Sequence, residues 1–196
     1  MIRSQADWSP IFRVPGGMSP GIRCTRAISA KRLQVFAEAM PGMRRVGILF
    51  NERYGPRPRA LLETEAAAEA LKLELVTLPT GFPNGVQSAF ARARRENIQG
   101  VVILSDPATI SQRGDLGSAA IDARLPTMFA NKQYLEGRGL MSYGPDILQA
   151  FRRAASYTDR ILKGAKPGEL AVEQPARFEL AVNLATAKLI GITIPA

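Results

Sequence analysis

The chain has 196 residues, of which 46% are hydrophobic, so it can bury the core of one ordinary domain. Its formal net charge is +9, but the cations occur in scattered groups of two or three that we expect on solvated helix faces and strand edges, which disfavours a nucleic-acid partner. It has no histidine and a single cysteine, which excludes His-dependent hydrolase chemistry and an intramolecular disulfide, and no apolar run approaches the roughly 20 residues of a membrane-spanning helix.

The first part of the chain has little periodicity. Residues 1–24 contain three prolines and three glycines, at Pro10, Pro15, Pro20, Gly16, Gly17 and Gly21. We therefore expect an irregular segment over 1–24 and a globular unit over 25–196. The first residues lack the basic and apolar regions of a secretory signal, which predicts a cytoplasmic location if the chain is translated as given.

Strand and helix patterns alternate along the globular part. The spacing of apolar residues predicts helices from Thr25 or Ser29 to Met40, from Pro58 to about residue 71, over 84–95 and over 116–123. Short apolar runs predict strands at 46–50, 73–78, 101–104 and 126–129. Such strands, separated by helices, are typical of a parallel sheet covered on both faces. The predicted fold class is α/β, doubly wound and mainly parallel.

The tract Gly-Leu-Met-Ser-Tyr-Gly-Pro-Asp at 139–146 predicts a strand, a turn and a helix. Residues 140–143 form a short apolar run, and we expect Gly144 and Pro145 to end the strand ladder. Asp146 is placed as the N-cap of a helix, with Gln149 at the capping-box position and Gly164 as the C-terminal stop.

Polar residues follow the predicted strands, where open α/β sheets bind ligands. These residues are Asn51, Glu52, Arg53 and Tyr54 after the first strand, Ser105 and Asp106 after the third, and Asn131 after the fourth. Each has a structural alternative: Asn51 and Asp106 can cap the following turns, and Tyr54 can pack its ring against Pro56.

Fingerprints of nucleotide-binding enzymes are absent from the sequence, which contains neither G-x-G-x-x-G nor G-x-x-x-x-G-K-[ST]. A Rossmann-like enzyme remains an alternative reading. A receiver-like regulatory domain is another, because Asp106 follows a strand as a phosphoacceptor does, although Asn51-Glu52 and Asn131-Lys132 are poor matches to the other residues of such a site. No catalytic residue, metal or cofactor is predicted.

Several segments together resemble one family. They are the tract at 139–146, Ile-Leu-Lys-Gly-Ala-Lys-Pro at 161–167, Val-Glu-Gln-Pro at 172–175, Phe-Glu-Leu at 178–180, Ser-Ala-Lys-Arg-Leu at 29–33 and the strand at 45–51. In order and spacing they are similar to the ABC-transporter substrate-binding proteins of the type I periplasmic-binding class, some of which bind aromatic amino acids. The resemblance covers about residues 13–195. It implies a periplasmic, non-enzymatic receptor that closes on a small solute and delivers it to ABC permease subunits in the membrane.

The resemblance also implies that one lobe is largely missing. Val-Pro-Gly-Gly-Met at 14–18 resembles the family's Pro-Gly-Gly-Asn crossing loop, with Met18 in place of Asn, and the first lobe would precede it. We therefore expect a truncated receptor or a gene fragment. Residues 144–165 would be a hinge and helix that pack on the missing lobe, and the exposed face of helix 146–163 would promote self-association.

Within this resemblance, five residues are expected to form half of a solute site: Asn51, Tyr54, Asp106, Asn131 and Tyr143. Polar groups would hold an amino or carboxylate group, and a tyrosine ring would stack on an apolar moiety. Half a site lacks one desolvating wall, so millimolar affinity or none is expected. The sequence does not identify the solute.

Overall fold

The computed structural model describes residues 23–54, 58–166, 170 and 178–194, with the side chains of 23–27 and of Tyr54 outside that description. Helix α1 occupies Arg23–Ala39, so regular structure begins two residues inside the segment predicted to be irregular. The helix starts soon after Gly21, since no proline or glycine follows within it. The prediction for residues 1–22 lies outside the described residues.

Six strands form one sheet with the order β2-β1-β3-β4-β5-β6. The strands are β1 Arg45–Asn51, β2 Glu74–Thr80, β3 Gly100–Ile103, β4 Thr127–Phe129, β5 Met141–Pro145 and β6 Phe178–Val182. Strands β1 to β5 run parallel, and β6 pairs antiparallel with β5. The predicted fold class, a doubly wound and mainly parallel α/β sheet, is confirmed.

The remaining helices lie between and after the strands. They are α2 Arg59–Ala70, α3 Val86–Arg95, α4 Pro107–Ser111, α5 Arg113–Ala123, α6 Gln133–Glu136, α7 Ile147–Leu162 and α8 Leu184–Ile190, with a 3-10 helix at Glu52–Tyr54. The sequence did not predict α4 and α6, since neither is long enough to show helical periodicity. None of the described helices is long and apolar enough to span a bilayer.

Hydrophobic clusters cover the two faces of the sheet. On one face, Phe90 of α3 and Leu116 of α5 pack on apolar residues of β1 and β3. On the other, Leu33 and Phe36 of α1 pack on β1, β3, β4 and β5 together with Ile190 of α8. Burial of strands on both faces explains why their sequences are almost continuously apolar.

Strand β5 extends farther than expected. Gly144 pairs with Glu179 and Pro145 with Phe178, so the prediction that Gly144 and Pro145 end the ladder is wrong. β4 pairs with β5 only as far as Ser142, so beyond this residue β5 has a neighbouring strand on one side alone. A strand with one neighbour can contain a proline, because the N–H that proline lacks is not needed on the open side. Gly144 is also required by space, because a Cβ there would overlap the carbonyl oxygen of Ala130.

Helix α7 follows β5 directly and begins as predicted. The Asp146 carboxylate accepts from the backbone N–H groups of Leu148 at 3.0 Å and Gln149 at 3.2 Å. Gly164 follows the helix with φ +98°, the left-handed conformation of a C-terminal stop. No residue of α7 is buried, and its apolar side chains Leu148, Phe151, Ile161 and Leu162 are exposed.

Candidate functional site

The carboxyl ends of the five parallel strands lie at one edge of the sheet, which we call the strand-end edge. Asn51 closes β1 there, Asp106 follows β3, Asn131 follows β4 and Tyr143 lies near the end of β5. Four of the five predicted site residues thus lie at or beside this edge. Because β3 separates β1 from β4, Asn51 and Asn131 are about 10 Å apart in the plane of the sheet. Tyr54 belongs to the 3-10 helix after β1, and the prediction for its side chain falls outside the described residues.

Asn51 and Asn131 are buried and have the same local geometry. The amide oxygen of Asn51 accepts from the backbone N–H of Arg53 at 3.1 Å, and that of Asn131 from the N–H of Gln133 at 3.2 Å. Each oxygen therefore stabilises the turn after its strand. For Asn51 this is the structural alternative that the sequence offered. Neither amide nitrogen has a hydrogen-bond partner among the described residues, so both retain free N–H donors.

Asp106 is the N-cap of α4. One carboxylate oxygen accepts from Ala108 N at 2.7 Å and Thr109 N at 3.0 Å, and the Thr109 hydroxyl accepts from Asp106 N at 2.9 Å. This is a complete capping box, so the structural alternative for Asp106 is confirmed. The lysine that a receiver-like site would use, Lys132, forms a 3.0 Å ion pair with Glu179 instead.

Tyr134 joins the loops after β3 and β4, and the sequence analysis did not select it. Its ring is fully buried and stacks on Phe129 with centroids 4.6 Å apart. Its hydroxyl is 2.7 Å from the Thr109 hydroxyl and donates to the Ser105 hydroxyl at 3.0 Å. Burial raises the pKa of the Tyr134 phenol above its usual value. Ser105 itself is exposed, so this network ends in a hydroxyl that reaches the surface of the edge.

Arg32 is the second residue that the sequence did not select, and it corrects the expectation that the cations occupy solvated faces. Arg32 lies on α1 and only 7% of its surface is exposed. Its Nε–H donates to the carbonyl oxygen of Tyr143 at 2.9 Å. Burial lowers the pKa of the Arg32 guanidinium to about 10, which leaves it charged at neutral pH.

The Tyr143 side chain is half-buried and faces β6. Its ring lies 6.2 Å from that of Phe178, with an angle of 19° between the two planes. Phe178 therefore lies against one side of the ring that we expected to stack on a solute.

A groove of about 370 Å³ opens beside Asn131. It lies between α6, the end of β5 and the first turn of α7. Its walls are Asn131, Lys132, Gln133, Leu135, Glu136, Pro145, Ile147, Leu148 and Glu179. Of the predicted site residues, Asn131 alone lines this groove, and the Lys132–Glu179 ion pair provides its charged wall.

Residues 10–196 match the family described as ABC transporter substrate binding protein. The chain belongs to this family. No curated protein matches the chain significantly.

Several solved structures share the fold. A conserved domain protein from Vibrio cholerae O1 biovar El Tor is 26% identical with a TM-score of 0.74, covering 85% of this chain and 56% of that one. The ABC domain in complex with L-Trp from Streptococcus pneumoniae is 20% identical with a TM-score of 0.73, covering 86% and 57%. A ligand-free, open substrate binding protein from Clostridium difficile is 16% identical with a TM-score of 0.63, covering 85% and 56%.

This substrate binding protein spans little more than half the length of the structures it matches, between 56% and 57% of each. The remaining part of those structures has no counterpart in the aligned region. The last two structures are only 20% and 16% identical to this chain, so the likeness to them concerns the fold of the shared part.

Proposed function

We propose that this chain binds a small solute at the strand-end edge and serves as the receptor component of an ABC importer. The proposed solute is an amino acid or a similarly small compound, and the proposed role includes no catalytic step. A receptor of this kind acts outside the cytoplasmic membrane, in the periplasm, and delivers its solute to the permease subunits of the transporter.

The observation that carries this proposal is the pair of buried asparagines with free amide nitrogens. Asn51 and Asn131 each use the amide oxygen to hold a turn, which fixes the orientation of the remaining N–H donors. The two nitrogens are not among the fully buried, unpaired side-chain atoms of the described residues, so they reach the surface and can donate to a solute. Membership of a substrate-binding family supports the same assignment.

The bound tryptophan of the Streptococcus pneumoniae structure makes aromatic amino acids the first candidates, although that structure is only 20% identical to this chain. The apolar part of the groove, at Leu135, Ile147 and Leu148, is a suitable surface for an aromatic side chain. We therefore add this groove to the proposed solute site. Asp106 serves as a helix cap.

We further propose that a second lobe closes on this edge. The Vibrio cholerae structure contains a further part that this chain does not cover, since only 56% of that structure is aligned. The exposed apolar face of α7 is the surface on which such a lobe would pack. A site with one wall binds weakly, because the solute keeps much of its contact with water.

A screen of the twenty amino acids against the full chain tests the proposal. Ligand-observed saturation-transfer NMR detects millimolar binding, and thermal shift detects tighter binding. We expect a saturable signal from one or more aromatic amino acids, lost in Asn131→Leu and retained in Asn97→Gly on the opposite edge of the sheet, where glycine fits the positive φ of the residue.

Two results would argue against the proposal in different ways. Absence of a saturable signal for every amino acid would contradict amino-acid binding by this chain. Micromolar affinity of the chain alone would retain the binding function but contradict the need for a second lobe.

A further inference from the structure

Arg32 is a buried cation at the strand-end edge. Helix α1 packs on β4 and β5, and only 7% of the surface of Arg32 is exposed. One nitrogen of the guanidinium, Nε, donates to the Tyr143 carbonyl near the end of β5. The charge is also close enough to influence the pKa of the Tyr134 phenol, which lies at the loops after β3 and β4. The guanidinium thus lies near the end of β5.

No carboxylate neutralises this charge in the part of the chain that the structure describes. The ion pairs there involve other cations, at Arg45, Arg59, Arg92, Arg113, Lys132 and Lys163. The groups whose charges influence the Arg32 pKa are two tyrosines, Tyr134 and Tyr143. A buried cation without an anion is costly, and proteins rarely retain one without a partner or a function.

Two asparagines of the edge also offer donors. The free atoms of Asn51 and Asn131 are amide nitrogens, because the turns after β1 and β4 occupy both amide oxygens. A carboxylate oxygen of Asp106 is likewise committed, to the first turn of α4. Arg32, Asn51 and Asn131 therefore present N–H donors and a positive charge, and this set suits a ligand group that accepts hydrogen bonds and carries negative charge.

We propose that the terminal nitrogens of Arg32 bind the carboxylate of the solute, and that the solute is therefore a carboxylic acid. This inference rests on the proposed function, which assigns solute binding to the strand-end edge. With Nε held by Tyr143, the guanidinium is oriented before the solute arrives, and its two terminal nitrogens can form a bidentate pair with a carboxylate. Asn131 supplies a further N–H to the same solute.

A purely structural role is the competing explanation. In that case the bond from Arg32 to Tyr143 would hold α1 against β5, and the solute would not contact the guanidinium. The two roles differ in what the solute must carry. Only a carboxylate anchor makes binding depend on the negative charge of the ligand.

The test compares each amino acid that binds in the screen with its C-terminal amide. The amide keeps the side chain and the amino group but replaces the carboxylate with a neutral group. On wild-type protein we expect at least a tenfold weaker affinity for the amide, since a charge-assisted pair is worth about 1.5–3 kcal/mol. Arg32→Met should bind the acid about as weakly as wild type binds the amide. Arg44→Met is the matched control, because Arg44 is exposed at the opposite end of β1.

The outcomes separate the inference from the function on which it rests. Equal affinity of wild-type protein for acid and amide overturns the carboxylate anchor and leaves solute binding in place. A preference for the acid that persists in Arg32→Met assigns the carboxylate to another residue and also overturns the inference. Failure of every acid and amide to bind overturns both. The acid–amide comparison on wild type needs no variant, so a misfolded Arg32→Met does not prevent the test.

Discussion

The Nε–H of Arg32 donates to the carbonyl oxygen of Tyr143 over 2.9 Å, which joins the first helix to the end of the fifth strand. These residues are far apart in the sequence, and their contact positions a charged group at the edge where the parallel strands end. Burial lowers the pKa of the guanidinium to about 10, so holding the charge there costs free energy in the unliganded protein.

Replacing Arg32 with methionine should therefore not destabilise the unliganded protein. The variant loses one hydrogen bond, worth about 1 kcal/mol, but it also loses the larger cost of an unpaired buried charge. We expect the free energy of unfolding to be unchanged or up to about 2 kcal/mol higher, measured by urea denaturation. Arg44→Met should leave it within about 0.5 kcal/mol of wild type. A loss of more than about 2 kcal/mol in Arg32→Met would indicate that the bond to Tyr143 is the main role of the residue.

Removing the hydroxyl of Tyr134 should give a pH-dependent effect. At neutral pH, Tyr134→Phe loses the bonds to Ser105 and Thr109, and we expect it to be about 1 kcal/mol less stable. The folded protein raises the pKa of this phenol above the usual 10.0, so the stability that the phenol contributes is present below pH 10 and declines at higher pH. The deficit of the variant should therefore shrink above pH 10.

Urea denaturation of the wild-type protein and of Tyr134→Phe, at neutral pH and above pH 10, measures the effect. A Tyr134→Phe deficit that is the same at both pH values would show that ionisation of this phenol does not couple to folding.

Two helix caps with the same chemistry should have different consequences. Asp106 and Asp146 each accept two backbone N–H groups, but α4 lies against the core through buried Thr109, whereas no residue of α7 is buried. Asp106→Ala should lower the free energy of unfolding by about 1–2 kcal/mol. Asp146→Ala should fray α7 and reduce the helical circular dichroism, with little change in the urea midpoint. Equal losses of global stability would contradict the view that α7 is only weakly attached.

The exposed face of α7 should promote self-association of the chain at high concentration. Phe151 is 70% exposed and lies with Leu148 and Leu162 on this helix. Size-exclusion chromatography with light scattering should detect dimers or larger species in wild-type protein, and Phe151→Glu should reduce them. Leu184→Glu on α8 is a matched control, because Leu184 is 71% exposed. A monomeric wild-type chain at all concentrations would rule out this use of the face.

The sequence predicted the sheet because burial of strands on both faces leaves a clear pattern. The apolar run at 46–50 and the helix start at Asp146 both depend on local chemistry, and both lie where they were expected. The extension of β5 through Pro145 depends on which neighbours pair with each residue, which a local pattern does not contain.

The candidate site was predicted less completely, for a related reason. Asn51 and Asn131 were found by their position after strands, although the sequence does not show which of their atoms are free. Arg32 was missed because it lies on a helix far from Tyr143 in the chain. Tyr134 was missed because the four-residue helix that carries it shows no periodicity. A buried arginine has no signal in composition or spacing, so a three-dimensional contact was needed to find it.

The central claim is that the strand-end edge binds the solute through N–H donors. Titration of ¹⁵N-labelled chain with the strongest amino acid from the screen tests this claim directly. We predict saturable shifts of the side-chain signals of Asn51, Asn131 and Arg32 Nε, while the exposed amide of Asn97, on the opposite edge of the sheet, stays unchanged. Shifts centred on Asn97, or no shift at any of the three donors while the amino acid binds, would contradict the account.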